Sequence, residues 1–387
     1  MNSIITLVLS ENSDKFKSKT PVYQHKAFGK TLREWSEQVF SEVSNNIVFL
    51  DTLRIDTKLE DISMSDVVLI TWANQPLIQP DSIKKLVNKH TFEQNHATAL
   101  KSSSGGVYAF DSGFFVSEIK DSKIVEINRE IIQDIFQSMQ KKVFSLKEAN
   151  NELLAVTTRN DLAVVNNELK HRILSDIMKE GVTIVDTAST YIDAGVTIGM
   201  DTIILPNTII EGNSIIGENC IIGPNTRVSS CKVEDGTEVA NSVIVDSTVG
   251  SNTHIGPFAY LRPGSKVGSK VKIGDFVEIK KSIIGDRTKI SHLSYVGDAE
   301  VGENVNIGCG VVFVNYDGKS KNKTIVGDNS FIGCNVNLVS PVVVKNGAYI
   351  AAGSTITDEV PENALAIARE RQVNKEDWVI KKGMKRE

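Results

Sequence analysis

The sequence predicts a small α/β domain followed by a left-handed parallel β-helix of hexapeptide repeats, and three observations lead there. From Ile192 onward an aliphatic residue returns every six positions, at Ile192, Ile198, Ile204, Ile210, Ile216, Ile222 and Val228. The residue two places earlier is small or β-branched, as at Thr202, Thr208, Ser214, Cys220 and Thr226, so both positions are expected to point inward. Gly then follows the aliphatic residue at Gly199, Gly217, Gly223, Gly250, Gly256 and Gly268, where a chain turning a corner is expected to need unusual dihedrals. No helix or two-sided sheet has this period. Units so short bury nothing alone and must stack on their neighbours, three of them closing a triangular coil of about eighteen residues. Short, nearly flat strands and small corner residues relax the twist that otherwise enforces right-handed crossovers, which permits the left-handed coil.

The elements follow in order. Residues 1–157 alternate strand and helix signals: strands at Ile4–Leu9, 47–50 and Val67–Trp72, a helix over 31–43, and another opening at Asp81 after Pro80. A linker helix is expected within 158–184, where Leu162, Val165, Leu169, Ile173, Ile177 and Met178 form a stripe. Asn160 or Asp161 stands near its start and Gly181 at its stop. The β-helix is expected over 185–360, its register resuming at Val239 and running through Ile244, Ile255, Leu261, Ile279, Ile290, Val296, Ile307 and Phe313 before restarting at Val326. The tail, 361–387, loses the period and is expected to cover the open end of the solenoid, where strand edges would otherwise be exposed.

Composition narrows the function classes. With 387 residues, 41% hydrophobic and 24% charged, the chain reads as an ordinary globular protein. A net charge of −5 argues against a nucleic-acid binder, which normally shows a basic face. The apolar run near the amino terminus is short, lacks a basic flank and meets Ser10, Glu11 and Asn12, so a cytoplasmic location without membrane insertion is expected. Of four cysteines, Cys220 and Cys231 fall on inward positions, whereas Cys309 and Cys334 lie beyond corner glycines. No metal-ligand cysteine spacing occurs.

Counting hexads in threes places Leu261, Ile279, Val296 and Phe313 on one face of successive coils. Arg262 and Lys280 each follow one of these directly, so they stack about 4.8 Å apart, and two cations that close repel unless an anion joins them. Tyr295 and Asn315 belong to the same column; His292 lies two beyond Ile290, at the corner leading into it, and Asn306 one coil later. Between Phe313 and Val326 the period fails and a loop carrying Lys321 is thrown outward, toward this column in its own chain or a neighbour's. Spacing alone leaves other readings open. Arg262 could simply pair with Glu278, Lys280 and Lys321 could be solvated charges, and Tyr295 and Asn306 could be turn or subunit-contact residues. A zinc hydratase on such a coil would need three His, and only His254 and His292 lie in it.

Five segments sharpen this: Leu261-Arg262-Pro263-Gly264, Phe276-Val277-Glu278-Ile279-Lys280-Lys281, His292-Leu293-Ser294-Tyr295-Val296-Gly297-Asp298-Ala299, Asn304-Val305-Asn306-Ile307-Gly308 and Asn315-Tyr316-Asp317-Gly318. In order and spacing they resemble the bacterial bifunctional N-acetylglucosamine-1-phosphate uridyltransferase/glucosamine-1-phosphate acetyltransferases, over roughly 154–382. The resemblance implies a homotrimer that moves acetyl from acetyl-CoA to the amine of glucosamine-1-phosphate, on the route to UDP-N-acetylglucosamine and the cell wall. It implies His292 as general base with Glu278 orienting it, Arg262, Lys280, Tyr295 and Lys321 as sugar-phosphate contacts, and Asn306 and Asn315 holding the sugar and reacting groups. It also implies acetyl-CoA contacts around Cys309, Cys334, Ala352 and Arg369. An ammonium cannot attack a thioester, and imidazole, with an ordinary pKa of about 6.5, accepts its proton near neutral pH. No metal is expected for this transfer.

The first domain departs from that family. Where a Gly-rich phosphate loop, a later Pro-Lys pair and a Gly-Asp before Pro-Leu are expected, the chain has Ser10-Glu11-Asn12-Ser13, Pro21-Val22 and Ala73-Asn74-Gln75-Pro76-Leu77. Ser104 stands where the second magnesium ligand should be, and a central sugar-recognition stretch is missing after Ala97. The expectation is a reduced, degenerate nucleotidyltransferase-like domain whose uridyltransferase activity is lost. Competing expectations are full bifunctionality, with UTP held by Lys15, Lys17 and Lys19, and a non-catalytic regulator that keeps the fold.

Overall fold

The computed structural model describes residues 3–51, 54–55, 58–102, 105–138, 141–144 and 151–384. Two compact units divide at Ser175/Asp176. The first is built on a six-stranded sheet. Ile4–Leu9 lies parallel between Asn46–Leu50 and Val67–Trp72, while Gly106–Asp111 runs antiparallel to Val67–Trp72 and to Ala97–Lys101. Lys141–Phe144 closes the far edge. Ile5, Leu7 and Leu9 pack into one core with Ile70, Trp72 and Phe110, whereas Ile4, Val67 and Leu69 face a second core with Phe40, Ile83 and Leu86, as period-two alternation with helices on both faces requires.

Local chemistry explains the helix ends. Leu32–Ser41 starts on a capping box in which the Thr31 hydroxyl accepts from Glu34 N–H and the Glu34 carboxylate accepts from Thr31 N–H. The longer helix, Arg159–Lys179, starts the same way: Asp161 N–H donates to the Thr158 hydroxyl at 3.2 Å and its carboxylate accepts from Thr158 N–H at 2.7 Å. Thr158 therefore caps it, with Asp161, one of the two residues expected near its start, closing the box. Its buried stripe is Val165, Leu169 and Leu174, and Met178, expected on that stripe, is exposed. No helix among the described residues is long and apolar enough to cross a membrane.

The second unit is a parallel β-solenoid of about ten turns whose strands run from Thr183–Ile184 to Leu365–Ala366 in three sheets of ten, nine and eleven strands. The aliphatic positions read from the sequence are buried from Ile204 to Ile356, as are the positions two before them, including Thr208, Ser214, Ala259, Ser282 and Val311. Thr and Ser hydroxyls inside the coil bond carbonyls of the next turn, as Thr253 does to Gly268 at 2.9 Å and Thr288 to Gly302 at 2.8 Å, so a polar inward residue costs little.

The corner glycines are of two kinds, and Gly223 and Gly256 take the expected left-handed angles, with φ of +111° and +110°. Gly199, Gly217, Gly250 and Gly268 have ordinary backbone angles; the left-handed conformation falls two residues later, on Asp201, Asn219, Asn252 and Lys270. These glycines are required because a Cβ at Gly250 would lie 2.6 Å from the Gly268 carbonyl carbon and one at Gly199 would lie 2.7 Å from Glu218 N, so the next coil passes too close for any side chain. The tail also differs. Leu365–Ala366 adds one rung, but residues 367–384 are exposed throughout and do not cover the end of the coil in the single chain.

Candidate active site on the solenoid

The ten-stranded face carries the expected column. Leu261 pairs with Ile279 and Ile279 with Val296, while Lys280 stands opposite Gly297. Phe313 is buried in the next strand, Val312–Val314. Arg262 N–H donates to the Ile279 carbonyl at 2.8 Å, which sets its side chain one rung from Lys280. Gly297 leaves the space between them and the loop: a Cβ there would lie 2.4 Å from the Tyr295 hydroxyl and 2.7 Å from Asn315 Nδ2.

Four predicted residues converge over that glycine. Lys280 Nζ lies 3.0 Å from Asp298 Oδ2, Asn315 Nδ2 bonds the same carboxylate oxygen, and Asn315 Nδ2 also lies 3.3 Å from the Tyr295 hydroxyl. Lys321 reaches Lys280 from the loop of its own chain. The loop is held by Asp317, whose carboxylate accepts from the backbone N–H of Ser320 and Lys319 and from the Asn322 side chain; these bonds hold it far below the usual carboxylate range. The Asn322 backbone returns to the Asn315 carbonyl at 2.7 Å, which closes the loop.

The neighbouring Lys321 and the Asp298 carboxylate hold Lys280 above the ordinary ammonium range, and Lys280 pushes Lys321 below it. Lys280 and Asn315 are both 7% exposed, so the Lys280 ammonium is largely withdrawn from water, whereas Lys321 beside it is exposed. Asp298 compensates part of the charge. The sequence reading did not single it out, because nothing in the spacing says that its carboxylate folds back beneath Lys280.

Arg262 stands apart from this cluster. Its Nη1 bonds Glu278 Oε1 at 2.8 Å, and that bond raises its pKa further. Glu278 is therefore engaged with Arg262 and is not the carboxylate beside His292. That place belongs to Asp275, whose Oδ1 lies 2.6 Å from His292 Nδ1 and whose residue pairs with His292 in the adjacent sheet. The bond to His292 holds the Asp275 carboxyl below its usual range. The missed signal was countable: Asp275 lies two beyond Ile273, as His292 lies two beyond Ile290, one coil later.

The same corner continues upward. Ile290, Ile307, Ile332 and Ile350 pair in register, and the residues two beyond them are His292, Cys309, Cys334 and Ala352. The predicted acetyl-CoA positions thus share a column with the imidazole. Cys309 and Cys334 are exposed, in contrast to Cys220 and Cys231 inside the coil. Arg369 passes the next corner position, its Cδ 3.6 Å from where a Gly353 Cβ would stand. Asn306, half-buried, pairs with Lys289 and Phe331 on this sheet and is not part of the Lys280 cluster.

In the first unit the positions expected to hold a nucleotide are used internally. Glu11 forms an ion pair with Arg129, whose guanidinium lies 4.2 Å from the Trp72 ring centre. Asn74 Nδ2 donates to the Val156 carbonyl at 3.0 Å. Gln75, fully buried, donates to Thr71 and to the Gly106 carbonyl and accepts from Gly106 N–H. Ser104 lies outside the described residues. Among the described residues no group of three or more His, Cys, Asp or Glu side chains could hold a metal ion.

Comparison with known proteins adds two findings. Residues 195–230, 246–281 and 323–358 match the bacterial transferase hexapeptide family (six repeats). Over its full length the chain is 43% identical to the bifunctional protein GlmU of Acetivibrio thermocellus, across 461 aligned residues that cover 99% of that protein. The GlmU of Clostridium perfringens is 40% identical, with both chains covered completely, and that of Clostridium kluyveri is 51% identical over 74% of this chain and 64% of its own length. Since 461 aligned positions accommodate 387 residues, the first alignment leaves at least 74 positions (461 minus 387) without a counterpart here.

Proposed function

The chain belongs to the bifunctional GlmU family and is an acyltransferase, and we propose that it is a glucosamine-1-phosphate N-acetyltransferase using acetyl-CoA. The observation that carries this reading is the buried Lys280 with the exposed Lys321 beside it, set with Tyr295 and Asn315 on one face of the coil, three residues from the strand that bears His292. A phosphate monoester supplies the charge this pair lacks. Arg262 supports it from the neighbouring rung once its bond to Glu278 opens to the substrate. The acetyl-CoA lies along Cys309, Cys334, Ala352 and Arg369, which brings the thioester up the column toward His292.

The transfer then proceeds through groups of this chain. His292 Nε2 takes one proton from the substrate ammonium, the amine attacks the thioester carbonyl, and a C–N bond forms as the C–S bond breaks, the second proton that the nitrogen sheds passing to solvent. The proton returns from Nε2 to the departing CoA thiolate. Asn306 and backbone N–H groups of the corner stabilise the oxyanion formed in between. The enzyme acts as a cytoplasmic homotrimer on the route to UDP-N-acetylglucosamine and cell-wall precursors.

Uridylyl transfer is lost. Magnesium is usually held through one or two carboxylates, and Asn74 offers only a neutral amide oxygen, so these residues do not fit the ion. Glu11 puts a carboxylate where a triphosphate would need donors, and Arg129 answers it. The test is a substrate panel of amino-sugar phosphates with acetyl-CoA, followed by UTP with the acetylated product. Free CoA should appear with glucosamine-1-phosphate, and no pyrophosphate should appear from UTP. Pyrophosphate release at the rate of acetyl transfer would overturn the loss, and a folded protein that acetylates none of the panel would overturn the main reading.

A further inference from the structure

We infer that Asp275 is the positioning residue for His292, an inference that rests on the acetyltransferase reading above. Asp275 Oδ1 sits 2.6 Å from His292 Nδ1, within the range of a charge-assisted hydrogen bond. The bond is built by the fold and does not depend on two mobile side chains meeting. Asp275 ends the strand Lys272–Asp275 and His292 ends Lys289–His292, the two strands are parallel neighbours, and these two residues are register partners. Leu293 N–H donates to the Asp275 carbonyl at 2.9 Å, so the backbones are locked at the same point. Gly274 makes the approach feasible: a Cβ there would lie 1.9 Å from the Ser291 carbonyl oxygen.

The consequence is a fixed tautomer. A carboxylate only accepts, so the ring nitrogen facing it must carry the hydrogen, and the lone pair is left on Nε2. That is the nitrogen a general base needs free. Glu278 cannot serve, since its carboxylate is held by Arg262 on the other sheet. Nor does the next rung offer an alternative, for the residue above His292 in the column is Cys309, a weak acceptor. In the Asn variant the side chain can turn its NH2 toward Nδ1 and favour the opposite tautomer.

The test compares wild type, Asp275→Asn, Asp275→Glu and His292→Ala as full-length chains, measuring kcat and KM for both substrates. Asp275→Asn should lower kcat on the order of 10- to 100-fold while each KM changes less than about threefold, and Asp275→Glu should recover part of the lost kcat. A fall in kcat matched by a rise in KM, without recovery in the Glu variant, would mean local collapse and would overturn the positioning role. So would an Asn variant within twofold of wild type when His292→Ala is inactive, which leaves the acetyltransferase reading intact. Full activity in His292→Ala would overturn that reading itself.

Discussion

Replacing Lys280 by Ala tests how the solenoid holds its substrate. Lys280 is 7% exposed, its Nζ lies 3.0 Å from Asp298, and Lys321 shares its immediate surroundings. In the proposed complex it gives one charge-assisted hydrogen bond to the phosphate, an interaction of about 1.5–3 kcal/mol. At about 1.36 kcal/mol per decade this is a rise in the KM for glucosamine-1-phosphate on the order of 13- to 160-fold. The contact is made equally before and during acetyl transfer, so kcat should fall by much less. Truncation also leaves Asp298 bonded only to Asn315 at the floor of the site, and this carboxylate then repels the phosphate, which places the expected effect in the upper half of that range. Steady-state kinetics with acetyl-CoA saturating gives the answer. A KM unchanged within a factor of three, in a variant with wild-type unfolding temperature, would refute the assignment of this cluster to the phosphate.

Other consequences are independent of that site. Burial pushes the His90 imidazole down to about 4, against the opposing charge of Asp111, so the folded first unit resists its protonation. Its contribution is fully present above pH 6.5 and is lost as pH falls toward 4, up to about 3 kcal/mol, and denaturant unfolding across this range should show the loss in wild type and a flatter profile in His90→Gln. Alkylation should mark Cys309 and Cys334 well before Cys220 and Cys231, whose thiols burial pushes up, and acetyl-CoA should protect the first pair; mass spectrometry after brief iodoacetamide treatment reads both effects. Gly256→Ala should lower solenoid stability by roughly 1–3 kcal/mol or more, because φ is +110° there and a Cβ would lie 2.0 Å from the Ala240 carbonyl oxygen; thermal unfolding by circular dichroism measures it.

The solenoid was legible because its period is written in single residues: an aliphatic knob, a small residue two before it and a glycine after it recur whatever the rest of the hexad contains. The glycines were legible in part: the unusual angles expected of them occur at Gly223 and Gly256, but local sequence says nothing of the next coil 2.6 Å away at Gly250. Counting coils placed Lys280, Tyr295 and Asn315 on one face, and the broken period pointed to Lys321, but the cation expected to pair with Lys280 was Arg262, which Glu278 holds instead. The counter-charge of Lys280 was not legible, because Asp298 reaches Lys280 across a rung by a side-chain rotation that spacing does not encode. Glu278 was assigned to His292 from a local motif, whereas column counting places Asp275 there and leaves Glu278 to Arg262. In the first unit the residues that stand where the resemblance leads one to expect ligands could be read directly. The use made of them could not, since Asn74 meets Val156 only after the chain has crossed the whole sheet.

One measurement bears most directly on the whole account: CoA released from acetyl-CoA in a single turnover, with and without glucosamine-1-phosphate, by wild type and His292→Ala. The account predicts release that requires the amino-sugar phosphate and falls by on the order of 10² to 10⁴ in the variant. Release that is independent of the sugar, or equally fast without the imidazole, would contradict it.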